Sequence, residues 1–400
     1  MLLYGVIEMS NNMIFFHGGG ATAVINSSLY GAITQAKKMK AEGADIGKIY
    51  AACGGTGGFL NGDLIDIEAL SDEEIELLKT TPGSAIGTSR DHLEPEDYKQ
   101  MVVLFKELGI KYVVLNGGNG TMDTCGKIYN ECLEAGISVM GIPKTMDNDI
   151  AVTDHAPGYG SAARFMAQSV SEICADVKAM PAHIVVVEAM GRSAGWVAAA
   201  AALAVDAGIG GPDLIYLPEA PFSKEGFLDE VRRLIAEKKS GVVVVSEGAK
   251  FDDGTFVAPA IVGADGRTKY GDAAPALKKL IEDEIGYKVR NEKAGMFSRA
   301  SIAYQSESDR DEAIAVGARA VEEVVKGTSG KMVGIKRLST DPYEVEYILI
   351  DIKDVMLFER EFPKEYINEA GNGVTQEFID WCRPLLGSPL PKLISFKDKK

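Results

Sequence analysis

Tyr112-Val113-Val114-Leu115-Asn116-Gly117-Gly118-Asn119-Gly120-Thr121 is the stretch on which the fold turns. Its first four residues, apolar and rich in β-branched and aromatic side chains, read as a buried strand. Asn116 to Gly120 is a glycine turn, and Thr121 to Ala135 continues with a helical pattern. Gly136-Ile137-Ser138-Val139-Met140 is the next apolar run. Strand, crossover helix and strand in this order predict a parallel sheet. Upstream, Glu94 to Leu108 places Met101, Val102, Phe105 and Leu108 at helical spacing. Met13 to Phe16 is a further strand, and His17-Gly18-Gly19-Gly20-Ala21-Thr22 turns from it into a helix reaching about Lys40.

The pattern restarts after Asp154. Ile184 to Glu188 is a strand, followed by the turn Met190-Gly191-Arg192-Ser193-Ala194-Gly195-Trp196 and an alanine-rich helix. Leu214 to Leu217 and Val242 to Ser246 are strands, with a helix from about Lys224 to Lys238 between them. Ser306-Glu307-Ser308-Asp309 resembles a capping box and opens a helix from Asp309 to Lys326. The expected class is α/β: two Rossmann-like lobes with mainly parallel sheets and the active site in the cleft between them. Residues 9–155 with about 305–340 form one lobe and 156–304 the other, while 341–400 is an extension packing on them.

The chain has 400 residues, 46% hydrophobic and 25% charged, as expected of a globular protein of two domains. A formal net charge of -16 disfavours nucleic acid and anionic membranes as partners, so an anionic substrate needs a local cluster of Lys and Arg. The five cysteines form no C-x-x-C pair, and reduced thiols in a cytoplasmic enzyme are the simplest reading. The four histidines show no metal-ligand spacing, and no apolar run is long enough for a bilayer. Met1 to Glu8 lacks a basic region and reads as an extension ahead of a second natural start at Met9. The charged tail Lys397 to Lys400 reads as solvated.

Chemistry concentrates in Gly141-Ile142-Pro143-Lys144-Thr145-Met146-Asp147-Asn148-Asp149, at the carboxyl end of a strand, where open α/β sheets bind ligands. A carboxylate there can accept the proton of a hydroxyl, and its neighbour can hold a metal ion. The bland alternative is an N-cap or Asx-turn pair at Asp147 and Asp149. Three glycine clusters follow strands: Gly18 to Gly20, Gly54 to Gly58, and Gly117 to Gly120. Such loops bring backbone amides to phosphate oxygens. None is a Walker A loop, and none has dinucleotide spacing. Arg192 follows a buried strand and suits an anion contact; Arg290 and Arg299 read equally well as surface charges. Trp196 reads as packing, and His183 as a core or capping residue.

In combination these residues resemble the A-type phosphofructokinases, ATP- and pyrophosphate-dependent. The likeness runs from about Met13 to about Arg337. It rests on Gly19-Gly20 with Val24-Ile25-Asn26, Thr88-Ser89-Arg90, Gly117 to Thr121, Pro143 to Asp149, Met190 to Arg192, Pro218-Glu219, Ser246 to Gly248, and Arg290 through Arg299. The Pro-Lys-Thr and Gly-Arg-x-Ala-Gly-Trp forms look most like the pyrophosphate-dependent and related long branches. The resemblance implies transfer of a terminal phosphoryl group to the 1-hydroxyl of fructose 6-phosphate, giving fructose 1,6-bisphosphate in glycolysis. It implies Mg2+ as cofactor and a homodimer or homotetramer. Residues 9–155 with about 305–340 become the donor lobe and 156–304 the sugar-phosphate lobe.

Residue by residue, the resemblance makes Asp147 the base, with Thr145 and Asp149 orienting substrate and metal and Lys144 beside them. Arg192 stabilises the transferring phosphoryl group. Met190, Gly191 and Glu247 hold the sugar, and Arg290 and Arg299 its 6-phosphate. Gly19, Arg90, Gly118, Asn119, Gly120 and Thr121 take the donor. Phosphoryl transfer needs positioning and charge neutralisation above all, and this set supplies both.

Departures from the family pattern bear on the donor and the sugar. Asn119 stands where an aspartate usually helps hold magnesium, beside Asp149 as the other metal candidate. Gly120 stands where pyrophosphate users carry a second aspartate, leaving room for a nucleotide; Lys144 is typical of pyrophosphate users. The expectation favours ATP slightly over pyrophosphate. His183 stands where an arginine or lysine reaches a neighbouring subunit's substrate, and Met296 where a histidine or tyrosine is usual. A kinase of a different sugar or sugar phosphate, or a non-catalytic regulatory relative, are the alternatives.

Overall fold

The structure, a computed structural model, describes residues 10–263, 268–356 and 358–399; the expectations for Met1 to Glu8, for a start at Met9 and for Lys400 lie outside these described residues. In chain order the strands are β1 (Asn12–His17), β2 (Ile49–Ala52), β3 (Leu64–Asp66), β4 (Ile110–Gly117), β5 (Ser138–Pro143), β6 (Ile184–Ala189), β7 (Leu214–Tyr216), β8 (Gly241–Ser246), β9 (Ile261–Val262), β10 (Thr268–Lys269), β11 (Val289–Lys293), β12 (Lys331–Thr340) and β13 (Tyr343–Asp351). The chain divides into two compact units. The first comprises the chain up to Thr145, Ile150–Gly158 and Arg310–Glu359; the second comprises Met146–Asp149, Tyr159–Asp309 and the chain from Arg360 onward.

The first unit holds one sheet in the order β13-β12-β5-β4-β1-β2-β3. Its interior pairs are parallel, as the strand–helix–strand pattern predicts, and β3 and β13 close the edges antiparallel. Side chains of successive strand residues point to opposite faces. Accordingly Met13, Phe15, Tyr112 and Val114 join one apolar cluster, and Ile14, Phe16, Val113 and Leu115 the other. The first cluster takes in Leu29, Ala32 and Ile33 from the helix Ile25–Ala41 and Val316, Ala320 and Val321 from the helix Glu307–Val325. The second takes in Met101 and Phe105 from the helix Pro95–Glu107 and Met122 and Ile128 from the helix Asn119–Cys132. Phe16, Phe59 and Phe105 lie with ring centroids 4.9 to 6.3 Å apart. Burial of each such side chain contributes about 1.5–3 kcal/mol.

The segment Ile150–Gly158 is tied into this unit by a buried polar network. His155 Nδ1 meets Asp154 at 2.8 Å and its Nε2 meets Glu312 at 2.7 Å. Tyr343 donates to the other oxygen of Glu312 at 2.5 Å, and Arg337 lies 3.2 Å from Asp154. Burial alone would lower the imidazole pKa, but the flanking carboxylates outweigh it and raise it to about 9.

The second unit carries the sheet β11-β6-β8-β7, parallel throughout. Ile184 and Val186 pack with Val243 and Val245 against Phe227 and Val231 of the helix Lys224–Lys238 and Leu277 of the helix Ala273–Ile285. The two-stranded ribbon β9–β10 stands apart from that sheet.

Several expectations are corrected here. The alanine-rich helix after Trp196 lasts only through Ala199 and continues as a tighter 3₁₀ run, Ala200–Ala207. The helix expected at Asp309 starts at Glu307. Ser306 Oγ does accept the Asp309 amide at 3.3 Å, yet the Asp309 carboxylate turns to Ser161, accepting its amide at 2.9 Å and its hydroxyl. Residues 341–400 are not one peripheral extension: β13 completes the first sheet, whereas the chain from Arg360 folds with the second unit. Lys397 is not simply solvated, because its ammonium donates to the carbonyls of Lys178 and Ala179 at the end of the helix Tyr159–Ala179. Cations suit helix C-termini. Cys53 is exposed, the other cysteines are buried, and all five thiols are free. No helix among the described residues is long and apolar enough to cross a membrane.

Candidate active site

In the first unit the strands β5, β4 and β1 are neighbours, so the loops at their carboxyl ends lie side by side. Main-chain bonds lock these loops together. Gly18 donates to Asn116 O at 2.9 Å, Lys144 to Gly117 O at 2.9 Å and Gly19 to Ser89 O at 2.8 Å. The Gly19 amide, expected on the donor, is thus committed to the protein. Gly117 has to be glycine, because a Cβ there would overlap the Thr121 hydroxyl; one at Gly120 would meet nothing within 4 Å. Thr121 is therefore a wedge between loops, while the ground around Gly120 is open. Gly118 and Asn119 enter the helix Asn119–Cys132, whose first amides have no intrahelical partner.

Lys144 places a buried cation at these loops. It is only 3% exposed, and its ammonium donates to the carbonyl of Gly20. His17, 1% exposed, makes a 2.7 Å bond with Ser84. Burial, with the Lys144 charge added, pushes its imidazole down to about 3, so it stays neutral. Arg90 is exposed. Its neighbour Asp91 corrects one expectation: the carboxylate accepts Thr56 Oγ1 at 2.9 Å and the Gly57 amide at 2.6 Å. Of the three glycine loops, Gly54 to Gly58 is therefore already occupied by the chain's own anion.

The second unit carries the other residues. Asp147 lies 4.0 Å from the Arg192 guanidinium, the carboxylate 16% and the arginine 55% exposed. Asn148 and Arg192 both adopt left-handed backbone conformations, at φ of 52° and 53°. Such geometry costs about 1–3 kcal/mol per residue and persists only where neighbours enforce it. Glu247 is one enforcer: one of its oxygens accepts the amides of Gly191 at 3.3 Å and Arg192 at 2.9 Å. Burial raises the Glu247 pKa, against those two amide bonds. The sugar-side residue Glu247 is thus also a support for the Arg192 loop. Met190 is half-buried, Arg290 exposed and Arg299 half-buried.

His183, set where a cation was anticipated, is 3% exposed and its Nε2 finds no hydrogen-bond partner among the described residues. Burial and the charges of Arg290 and Lys288 lower its pKa. It is a neutral core residue, in keeping with the bland alternative. Met296 and Phe297 are 70% and 77% exposed.

Among the described residues no group of three or more His, Cys, Asp or Glu side chains is set to hold a metal ion. Magnesium bound through one or two carboxylates and substrate phosphates needs no such cage, and Asp149 with Asp147 can supply that many. Two features escaped the sequence reading. Glu219 was noticed only as part of a Pro-Glu pair, and it bonds two backbone amides distant in sequence, Gly195 and Phe362. The His155 network had no local signal at all.

A parallel α/β sheet with glycine loops at one set of strand ends, and a carboxylate–arginine pair in the second unit, are parts that a phosphotransferase uses. Residues 12–324 match the family model "Phosphofructokinase", and the chain belongs to that family. It is 36% identical over 387 residues to a pyrophosphate–fructose 6-phosphate 1-phosphotransferase of Halomonas elongata, covering 94% of this chain and 92% of the relative. It is 33% identical over 376 residues to a sulfofructose kinase of Alkalicoccus urumqiensis, covering 93% and 94%. The crystal structure of a pyrophosphate-dependent phosphofructokinase from Nitrosospira multiformis matches with a TM-score of 0.87 at 34% identity, over 96% of this chain and 94% of that one.

Proposed function

We propose that this enzyme transfers a phosphoryl group from pyrophosphate to the 1-hydroxyl of fructose 6-phosphate. The observation that carries the reading is Lys144, a buried ammonium set against the Gly19–Gly20 loop. A buried ammonium at a strand-end glycine loop offers charge-assisted hydrogen bonds to a compact polyanion such as pyrophosphate. The pyrophosphate-dependent relatives from Halomonas elongata and Nitrosospira multiformis support the same reading. On this reading the room at Gly120, which favours ATP slightly, is outweighed, and pyrophosphate is the donor.

On this reading Asp147 takes the proton of the sugar hydroxyl as the new O–P bond forms and the bridging P–O bond of pyrophosphate breaks, with orthophosphate leaving. The Arg192 guanidinium offers paired N–H donors to the charge spread over the phosphoryl oxygens. Asp149 is the carboxylate for magnesium, which when bound would neutralise charge on the phosphates. A coupled assay with fructose 6-phosphate and magnesium, comparing pyrophosphate with ATP, tests the proposal. Turnover with pyrophosphate is expected to exceed that with ATP by at least about tenfold, a barrier difference near 1.4 kcal/mol. Preference for ATP overturns it.

A second reading is favoured by His183 and Met296. A neutral histidine where an arginine or lysine is usual, and an exposed methionine where a histidine or tyrosine is usual, fit a sugar whose distal anion carries less charge than a phosphate. The 33% identical sulfofructose kinase supports this version. Comparing kcat/KM for fructose 6-phosphate and its 6-sulfonate analogue separates the two.

A further inference from the structure

The segment Arg360–Phe362 touches both reactive loops of the second unit. Arg360 donates its amide to the carbonyl of Asp149 at 2.8 Å. Its guanidinium lies 4.4 Å from the centre of the Trp196 ring. Phe362 packs edge-on against the same ring at 4.9 Å and donates its amide to Glu219 at 3.0 Å. The same Glu219 oxygen accepts the Gly195 amide at 2.9 Å. Trp196 directly follows Gly195, so the rear of the Gly191–Gly195 turn is fastened to this strap three ways. The front of the turn is fastened by Glu247 at Gly191 and Arg192. Between the two carboxylates sits Arg192 in its left-handed conformation. Left-handed backbone costs a β-carbon-bearing residue about 1–2 kcal/mol, so the turn relaxes if either end is released.

We propose that Glu219, with the strap Arg360–Phe362, is a positioning residue for Arg192. It holds the guanidinium where phosphoryl transfer needs it and aligns that turn with the Asp149 end of the catalytic loop. This rests on the activity proposed above. Glu219 touches no reacting atom and acts through backbone. The second Glu219 oxygen is buried with no hydrogen-bond partner among the described residues. Burial also raises the carboxyl pKa, against the amide bonds from Gly195 and Phe362. A glutamine keeps what the device uses, one oxygen accepting two amides.

The test uses the full chain as wild type, Glu219→Ala, Glu219→Gln, Arg192→Lys and the Glu219→Ala/Arg192→Lys pair. Glu219→Ala is expected to lower kcat on the order of 10²-fold, the scale of a misplaced catalytic group, with KM values within about threefold. Glu219→Gln stays within about threefold of wild type in kcat. Arg192→Lys costs far less in the Glu219→Ala background than alone, because the misplaced guanidinium has already lost its contribution. Amide hydrogen exchange over residues 190–196 quickens in Glu219→Ala without any substrate. Unchanged kcat in Glu219→Ala, additive effects of the two substitutions, or unaltered exchange overturns the proposal. A wild type inert towards pyrophosphate and fructose 6-phosphate defeats the activity instead, and the exchange arm still decides whether Glu219 holds the turn.

Discussion

The two units build their reactive loops from different materials. In the first, three loops at the ends of β1, β4 and β5 are joined by main-chain bonds such as Gly18 to Asn116 and Lys144 to Gly117. In the second, side chains brace the turn: Glu247 accepts the amides of Gly191 and the left-handed Arg192, and Glu219 ties Gly195 to Phe362. A main-chain site is rigid, and small residues are its only tuning. A braced side-chain site stores strain and moves pKa values, and one lost carboxylate loosens it. The first arrangement suits an anion of fixed shape. The second suits a reacting centre where charge develops.

The sharpest break in this comparison comes from Asp147→Asn, which removes the base and keeps the shape. We expect kcat to fall by about 10²–10⁴-fold. Thermal unfolding should be unchanged, since the residue is partly exposed and its 4.0 Å pair with Arg192 is long.

The first unit also depends on a tuned side chain. His155 is held protonated by Asp154 and Glu312, with Tyr343 and Arg337 completing its surroundings. Its folded pKa, about 9, lies above the unfolded value near 6.5. Its stabilisation is therefore full below pH 6.5 and lost as pH rises through about 9. Urea unfolding at pH 6.5 and 9.5 should differ by up to about 3 kcal/mol, and His155→Gln should flatten that difference. An identical pH dependence in the variant refutes the assignment.

The smallest effects belong to the glycine loops. Gly117→Ala forces Thr121 aside and should lose about 1–3 kcal/mol by overpacking. Gly120→Ala has open space and should gain about 0.4–1 kcal/mol by stiffening the unfolded chain. Denaturant midpoints at constant m-value check both signs. If the two alanines behave alike, the wedge at Thr121 does not lock the donor loops.

Much of the framework was legible. The helix Lys224–Lys238 and the strands β4 and β6 follow from apolar period and glycine punctuation within a few residues of their sequence. The pair β12–β13 lies beyond those expectations, although β13 alternates Glu344 and Glu346 with half-buried Val345 and Tyr347 and runs on through the apolar Ile348 to Ile350. The crowded positions in the site were legible as residue types, and their tasks were not. Thr121 crowds Gly18 and Gly117, Gly19 binds Ser89, and Glu247 accepts the Gly191 and Arg192 amides, contacts that no local pattern shows. Asp91, read as nothing, fills a glycine loop expected to be open to ligand.

By itself, the order of apolar runs, helical periods and glycine turns determined an α/β chain with parallel strands and put Lys144, Asp147 and Arg192 on strand-end loops. These are local properties, set by side-chain period and backbone freedom within a dozen residues. The tertiary structure alone decided that the Lys144 ammonium is buried at Gly20, that His183 is neutral, and that Phe362 shares the Glu219 oxygen with Gly195. Burial and hydrogen-bond partners at such distances along the chain depend on packing, and no local pattern encodes them.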